Sequence, residues 1–332
     1  MSEDFIMCAR AVKNNKFISE PGKSLYLLVP QDATVPLPEH KKNAGEWIKN
    51  LRQSSIWRPA ASDPDPDRQK DRGDILVFIH GYNNSQEIVM KRHRQLKQDL
   101  QSVGYKGAVM SFDWPSADSP LNYLEDRHDA KITAMQLVTD GIRLLAKEQG
   151  PDCAINIHLL GHSTGAYVIR EAFDDADDAL LEQASWIVSQ LAFIGGDISS
   201  DSLSQDNPST EAIYRHCARF TNYSNGADSV LKLSNAKRVG VSPRVGRVGL
   251  PEKIPPKAVN VDCTDYFARL DSDASVKSAD QKAEIGTFDH SWHIGNRVFT
   301  LDLFELIKGD LDSHLFPTRE VKLGSLRLKR PA

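Results

Sequence analysis

The chain has 332 residues, which is enough for one large domain or two small ones. Its formal net charge is -4, so it lacks the excess of basic residues that binds nucleic acid or an anionic membrane surface. No segment approaches the roughly 18 uninterrupted apolar residues of a membrane-spanning helix. We therefore expect no nucleic-acid partner and no membrane partner.

Four cysteines lie far apart, and none forms a Cys-x-x-Cys pair. This spacing argues against a disulfide framework and against a zinc site. The first ten residues include early acidic residues and lack the apolar core of a signal peptide. We expect reduced thiols, a cytoplasmic location, and neither a metal nor a cofactor.

Residues 1–73 are expected to form an N-terminal extension that packs on the core. It contains an outer strand at 25–30 ended by Pro30, a helix near 38–52, and a polar surface loop at 58–74 that is rich in Pro, Asp and Arg. No internal repeat is visible.

Apolar runs alternate with helical segments from residue 74 onward. The predicted strands are 75–79, 108–112, 154–160, 191–194, 219–223 and 259–263. The predicted helices are 86–103, 122–147, 164–182, 228–236 and 292–307. This alternation predicts an α/β domain over 74–312 with a mostly parallel sheet, followed by a tail over 313–332.

A serine lies between two glycines where a predicted strand meets a predicted helix, in Gly161-His162-Ser163-Thr164-Gly165. A sharp turn at this junction exposes the hydroxyl, and the glycines allow the close approach that the turn requires. The five-residue pattern alone is a weak signal, but the strand before it and the helix after it give the context that the chemistry needs. Ser163 is the predicted nucleophile.

Two backbone N–H groups are predicted to stabilise the negative oxygen that forms during acyl transfer. One belongs to Thr164, at the N-terminus of the helix that follows the serine. The other belongs to Tyr82, in the loop after the strand at 75–79.

A general base and an acid must complete the site, and the expected chain order is serine, acid, histidine. Three histidines follow the last predicted strand: His290, His293 and His314. His290 is favoured because it lies in a loop just before the final helix, whereas His293 is expected within that helix.

Two aspartates compete for the role of the acid. Asp228 is favoured over Asp197, because it follows the strand nearer to the histidine loop. Asp197 is then expected to line the pocket. Asp289 adjoins His290 and cannot readily fold back onto its ring.

Several stretches of this sequence resemble the α/β-hydrolase superfamily, and more narrowly a bacterial lipase/esterase-like branch of unassigned function. The matching stretches are 77–83, 112–116, 161–165, 223–234 and 290–292. The resemblance implies an α/β-hydrolase fold, with a mostly parallel central sheet flanked by helices on both faces, and a Ser163–Asp228–His290 triad. The short segment between the strands at 191–194 and 219–223 leaves no room for a large lid domain.

The predicted reaction is hydrolysis of a small or medium acyl ester through an acyl-enzyme intermediate. The expected pocket residues are His80, Gly81, Trp114, His162, Asp197 and Trp292. Two alternatives stay open: a thioesterase, amidase or peptidase using the same triad, and a non-catalytic binding protein with a hydrolase fold.

Overall fold

The computed structural model describes residues 3–59, 62, 70–116, 123–147, 153–178, 186–236 and 243–331. The strands in this part of the chain are β1 Asp4–Lys13, β2 Lys16–Val29, β3 Lys41–Lys42, β4 Ile56–Arg58, β5 Asp71–Ile79, β6 Ala108–Asp113, β7 Cys153–His162, β8 Val188–Ile194, β9 Cys217–Ser224, β10 Ala258–Asp262, β11 Arg319–Lys322 and β12 Ser325–Leu328.

The helices are α1 Ala44–Ser55, α2 Gln86–Ser102, α3 Tyr123–Gln136, α4 Arg143–Lys147, α5 Thr164–Asp178, α6 Pro208–Arg215, α7 Ser229–Ala236, α8 Val245–Val248, α9 Thr264–Ser272, α10 Ala274–Asp280, α11 Phe288–Ser291 and α12 Arg297–Lys308. None of the described helices is both long and apolar enough to cross a membrane.

All the described strands belong to one sheet, with the order β11-β12-β10-β9-β8-β7-β5-β6-β1-β2-β3, and β4 pairs with β5. The central strands, from β10 to β6, are parallel to their neighbours. Antiparallel pairing is confined to the edges and to β4. This mostly parallel sheet confirms the predicted architecture.

Helices cover both faces of the sheet. One apolar cluster joins the sheet to α1, α3, α5 and α6, and a second cluster joins the opposite face to α2, α9 and α12. Residues 75–79 of β5 form a continuous apolar run, as expected for a strand that is buried on both faces. Only residues 195–216 connect β8 to β9, so no large lid domain lies there.

The first strand, β1, was not predicted. It pairs in parallel with β6, and its first seven residues are buried. The sequence did not indicate this strand, because a buried strand is expected to be apolar and β1 contains the charged residues Asp4 and Arg10. Asp4 pairs with Arg94 and Lys97 of α2, and Arg10 pairs with Asp113 at the end of β6. The N-terminal extension thus contributes strands to the central sheet.

The C-terminal tail also joins the sheet, because β12 pairs in parallel with β10. One continuous sheet therefore runs through all three predicted segments. Their division at residues 73 and 312 stays a prediction.

The final helix begins at Arg297, not at Trp292 as predicted. The Asn296 side chain accepts a hydrogen bond from the N–H of Phe299 and caps this helix, and Gly295 just before it has a φ of 75°. His293 therefore lies in a turn and not in a helix.

The predicted helix at 38–52 divides into a short 3₁₀ turn, Pro38–His40, and α1. The predicted helix at 122–147 contains a π-helical turn, Leu137–Ile142, between α3 and α4. Most of the polar loop at 58–74, and the predicted end of the helix after Asp178, lie outside the described residues.

Candidate active site

Ser163 lies in the turn between β7 and α5. Its φ is 57°, a left-handed conformation that non-glycine residues rarely adopt. Its N–H donates to the carbonyl oxygen of Ile194 at 3.1 Å, and its own carbonyl oxygen accepts from the N–H of Asp197 at 3.0 Å. These bonds hold the strained turn against the end of β8, and such strain is typical of functional sites.

The small size of Gly165 makes this turn possible. A Cβ added at Gly165 would lie 2.2 Å from the carbonyl oxygen of Ile79, closer than any side chain could come. The start of α5 therefore packs directly on the backbone at the end of β5. This contact brings Ser163 beside the loop that follows β5.

His290 lies in α11 and forms a short hydrogen bond with Asp228. The distance from His290 Nδ1 to Asp228 Oδ2 is 2.7 Å, and both side chains are buried. The second oxygen of Asp228, Oδ1, accepts from the N–H of Leu231 at 2.9 Å, so both carboxylate oxygens have donors. A carboxylate on Nδ1 leaves the other ring nitrogen, Nε2, free to act as a base.

Two further bonds hold α11 against the loop that carries Asp228. The Asn225 side chain donates to the carbonyl oxygen of Asp289 at 3.0 Å, and the Asp289 carboxylate accepts from the N–H of Ser229 at 2.9 Å. Asp289 thus braces the two segments without contacting the His290 ring, as its position next to His290 suggested.

Ser163 and His290 line the same cavity, which has a volume of about 300 Å³. The other lining residues include Tyr82, Asn83, Ile88, Arg92, Val230 and Thr287. Within the described residues no hydrogen bond joins the Ser163 hydroxyl to the His290 ring, whose Nδ1 is engaged with Asp228. A larger cavity of about 420 Å³, lined in part by Glu3 and Lys106, contains neither group.

The loop after β5 approaches the serine closely. A Cβ added at Gly81 would lie 2.7 Å from Ser163 Cβ, so the backbone at Gly81 approaches the serine directly. The side-chain amide of Asn84 donates to the carbonyl oxygens of Gly81 and Tyr82, which fixes the loop backbone.

A buried polar network supports this loop from beneath. The two ring nitrogens of His80 lie 2.8 Å from the Gly81 carbonyl oxygen and 3.2 Å from Asp113 Oδ1. Arg10 Nε donates to the same Asp113 oxygen at 2.8 Å. Burial raises the pKa of Asp113, but Arg10, His80 and Gln86 together outweigh it and hold that pKa well below its usual value. Sequence reasoning missed Arg10, because only the pairing of β1 with β6 brings it here.

Several residues predicted to form the pocket lie elsewhere, which corrects that expectation. His80 is fully buried beneath the loop, and Trp114 stacks on it and donates to its carbonyl oxygen at 2.7 Å. Trp292 is buried among aromatic side chains of the core. Asp197 forms an ion pair with Arg244 at 3.0 Å and accepts from Ser234. These side chains do not line the described cavity, because each is engaged in packing or pairing behind it.

The alternative histidines differ from His290 in their surroundings. His293 is buried, and its ring packs on those of His162 and Phe299. His314 is exposed near the C-terminus. Within the described residues neither lines the cavity, whereas His162 does.

Several known structures are similar to this chain at low sequence identity. A dienelactone hydrolase from Anabaena variabilis is 16% identical, with a TM-score of 0.36, covering 84% of this chain and 94% of its own. A thioesterase of the prodiginine biosynthetic pathway in Streptomyces coelicolor is also 16% identical, with a TM-score of 0.30 and coverages of 62% and 80%. A lipase-esterase related protein from Clostridium acetobutylicum is 10% identical, with a TM-score of 0.32 and coverages of 62% and 91%.

No curated protein matches the chain. A family model described as an alpha/beta hydrolase of unknown function (DUF900) matches residues 66–259. That match spans more than half of the chain and includes Ser163 and Asp228, and it ends before His290. The family assignment rests on this match and not on the structural similarities above. The chain belongs to this family of alpha/beta hydrolases.

Proposed function

We propose that this protein is a serine hydrolase that cleaves carboxylic esters of small or medium acyl groups. Ser163 is the nucleophile, His290 the general base and Asp228 the acid that orients it. The observation that carries the proposal is the 2.7 Å bond between Asp228 and His290 at a cavity that also contains the strained Ser163.

The proposed reaction begins with proton transfer from Ser163 to His290. The Nδ1–H of His290 donates to Asp228, so Nε2 is unprotonated and can accept the Ser163 proton as Oγ attacks the ester carbonyl carbon. The imidazolium then returns the proton to the leaving alcohol, and an acyl-serine remains. Water, deprotonated by His290, attacks the acyl carbon and releases the acid and the free serine.

Negative charge develops on the carbonyl oxygen in the transition state of this reaction. Two backbone N–H donors are proposed to stabilise that charge. The N–H of Thr164 lies at the start of α5, where the helix dipole favours negative charge. The N–H of Tyr82 belongs to the loop fixed by Asn84. Each such donor contributes about 2.7–4 kcal/mol to transition-state stabilisation in enzymes where it has been removed.

Covalent labelling with a fluorophosphonate tests the nucleophile directly. The wild-type protein should be labelled at Ser163, and Ser163→Ala should lose both labelling and about 10⁶-fold in kcat. Ser189→Ala is a matched control, because its hydroxyl contacts Asn156 far from the proposed chemistry and its loss should change neither. Folded wild-type protein without label would refute the proposal and favour a binding protein with a hydrolase fold.

The substrate class can be tested with p-nitrophenyl esters of increasing chain length. The cavity volume lies at the low end of ligand pockets, so kcat/KM should be highest for short and medium chains. Thioesters and anilides with the same acyl groups separate an esterase from a thioesterase or an amidase. Faster hydrolysis of either analogue at equal leaving-group reactivity would assign that activity instead.

The cysteines support a proposed cytoplasmic location. Cys8, Cys217 and Cys263 are buried and unpaired, as in proteins of a reducing compartment. Cell fractionation tests this, and recovery of the protein outside the cytoplasm would refute it.

A further inference from the structure

Arg92 is a buried cation in the wall of the active-site cavity. It projects from α2, is only 5% exposed and lines the cavity with Ser163 and His290. No sequence motif surrounds Arg92 on α2, so the sequence alone does not identify this residue.

The hydrogen-bond partners of Arg92 are neutral. Its Nη1 lies 3.2 Å from His162 Nδ1, and its Nη2 donates to the Ile285 carbonyl oxygen at 3.3 Å and to the Ser291 hydroxyl at 3.1 Å. Its Nε is buried without a partner. A guanidinium has five N–H donors, so these three contacts leave donor capacity unused.

Other buried arginines of this protein are paired with carboxylates. Arg10 pairs with Asp113, Arg244 with Asp197 and Arg319 with Asp302. Within the described residues no carboxylate lies within ion-pair distance of Arg92, and no acidic residue lines the cavity. Since burying a charge is costly unless it is paired, this difference points to a partner that the described residues do not supply.

The neighbouring groups do not supply a compensating charge. Burial lowers the pKa of Arg92 to about 10, so it is still protonated at neutral pH. Burial and the nearby positive groups hold the pKa values of His162 and His293 well below their usual range, so both rings are neutral. Among the residues that the structure describes, the positive charge in the cavity wall therefore has no ion-pair partner.

The loop opposite α2 is shaped around this side chain. Gly286 has a φ of 101°, and a Cβ there would lie 2.5 Å from Arg92 Nη2. The guanidinium consequently rests on the loop backbone next to α11, the helix that carries His290. A side chain at residue 286 would displace it.

We propose that Arg92 binds a carboxylate of the substrate, so that the enzyme prefers esters carrying a negative charge on the acyl or the alcohol portion. This inference rests on the proposed serine hydrolase function. Arg92 is then a residue that determines specificity, while Ser163, His290 and Asp228 perform the chemistry.

Two pairs of esters test the preference. Mono-4-nitrophenyl succinate and 4-nitrophenyl 4-methylpentanoate differ in charge on the acyl portion, and 4-butyryloxybenzoate and 4-nitrophenyl butyrate differ in charge on the alcohol portion. The ratio of kcat/KM, charged over neutral, should fall at least about tenfold in Arg92→Met for at least one pair, and Arg92→Lys should retain most of the ratio. Because the same ratio is compared between wild type and variant, intrinsic differences in reactivity between the two esters cancel.

Arg92 also contacts His162 and Ser291, so it could act only by supporting the structure of the site. The experiment distinguishes that role from binding of a substrate carboxylate. With a purely structural role, Arg92→Met would lower kcat/KM for charged and neutral esters alike, leaving both ratios unchanged, and the proposal would be overturned.

A binding measurement on Ser163→Ala tests the site without catalysis and without altering Arg92. Monoethyl succinate should bind at least about ten times more tightly than diethyl succinate by calorimetry. Equal binding overturns the carboxylate site. Tight binding of the half-ester, with no ester hydrolysed by the wild type, would refute the serine hydrolase proposal and leave the carboxylate site standing.

Discussion

Replacing Asp228 with asparagine tests the acid of the proposed triad with the smallest change in shape. In the native protein Oδ1 accepts from the N–H of Leu231 at 2.9 Å and Oδ2 accepts from His290 Nδ1 at 2.7 Å. Asparagine has only one oxygen, so it cannot accept both bonds. If its oxygen faces Leu231, its NH₂ group faces His290 and favours the tautomer with the proton on Nε2, which cannot act as a base.

The opposite orientation of the asparagine restores the bond to His290 but places two donors, NH₂ and the N–H of Leu231, against each other. An unsatisfied buried donor costs about 1–3 kcal/mol, so this orientation is disfavoured. We therefore expect kcat to fall about 10⁴-fold, the loss seen when the equivalent change traps the wrong tautomer in a serine protease. The free energy of unfolding should fall by no more than about 3 kcal/mol.

The measurement is hydrolysis of 4-nitrophenyl butyrate, with thermal unfolding recorded in parallel. Asp289→Asn is the matched control, because Asp289 adjoins His290 and its carboxylate accepts only the N–H of Ser229 among the described bonds. It should keep kcat within about threefold of wild type, since the His290 ring loses no partner. The reasoning is refuted if Asp228→Asn retains more than a tenth of the activity, or if Asp289→Asn loses as much.

Three further changes probe the structure that supports the site. Gly165→Ala places a Cβ against the Ile79 carbonyl oxygen, so we expect a loss of several kcal/mol of stability or of soluble protein, and a normal melting temperature would contradict the close contact. Arg10→Met leaves Asp113 buried without its cation, and urea unfolding should show a loss of about 3–5 kcal/mol, whereas a loss below about 1 kcal/mol would mean that the pair is not stabilising. Burial raises the pKa of Asp4, but its ionic partners outweigh this and depress it, so its stabilisation is full above the unfolded pKa of about 3.9 and is lost as the pH falls below it. Asp4→Asn should therefore flatten the fall in stability between pH 5 and pH 3, and an unchanged slope would exclude Asp4 as its source.

The six strands between residues 75 and 263 could be predicted from short apolar stretches, of which 75–79 in β5 is an uninterrupted run. Both faces of β5 are buried, so its sequence shows the run directly. The helices α6 and α8 were not predicted. The edges of the sheet could not be predicted in this way. β1 contains Asp4 and Arg10, whose charges are acceptable only because α2 and β6 supply their partners.

Some residues of the candidate site could likewise be predicted from the sequence, and others could not. Ser163 was predictable from local steric rules, since a serine between glycines at a strand–helix junction forms a tight turn. Arg92 was not, because its lack of a carboxylate partner among the described residues is a property of the folded cavity. Trp114 and Trp292 were expected beside the substrate, but Trp114 stacks on His80 and Trp292 packs on Phe299, because large aromatic side chains pack as readily in a core as beside a ligand.

The sequence by itself determined the alternation of strands and helices and the sharp turn at Ser163, because both depend on interactions between residues close along the chain. Only the tertiary structure decided that Asp228 Oδ2 approaches His290 within 2.7 Å and that Asp197 turns instead to Arg244. These contacts join residues far apart in the chain, so their geometry depends on how the whole sheet packs its helices. The same reason explains why Arg10 and Arg92 became visible only in the folded protein.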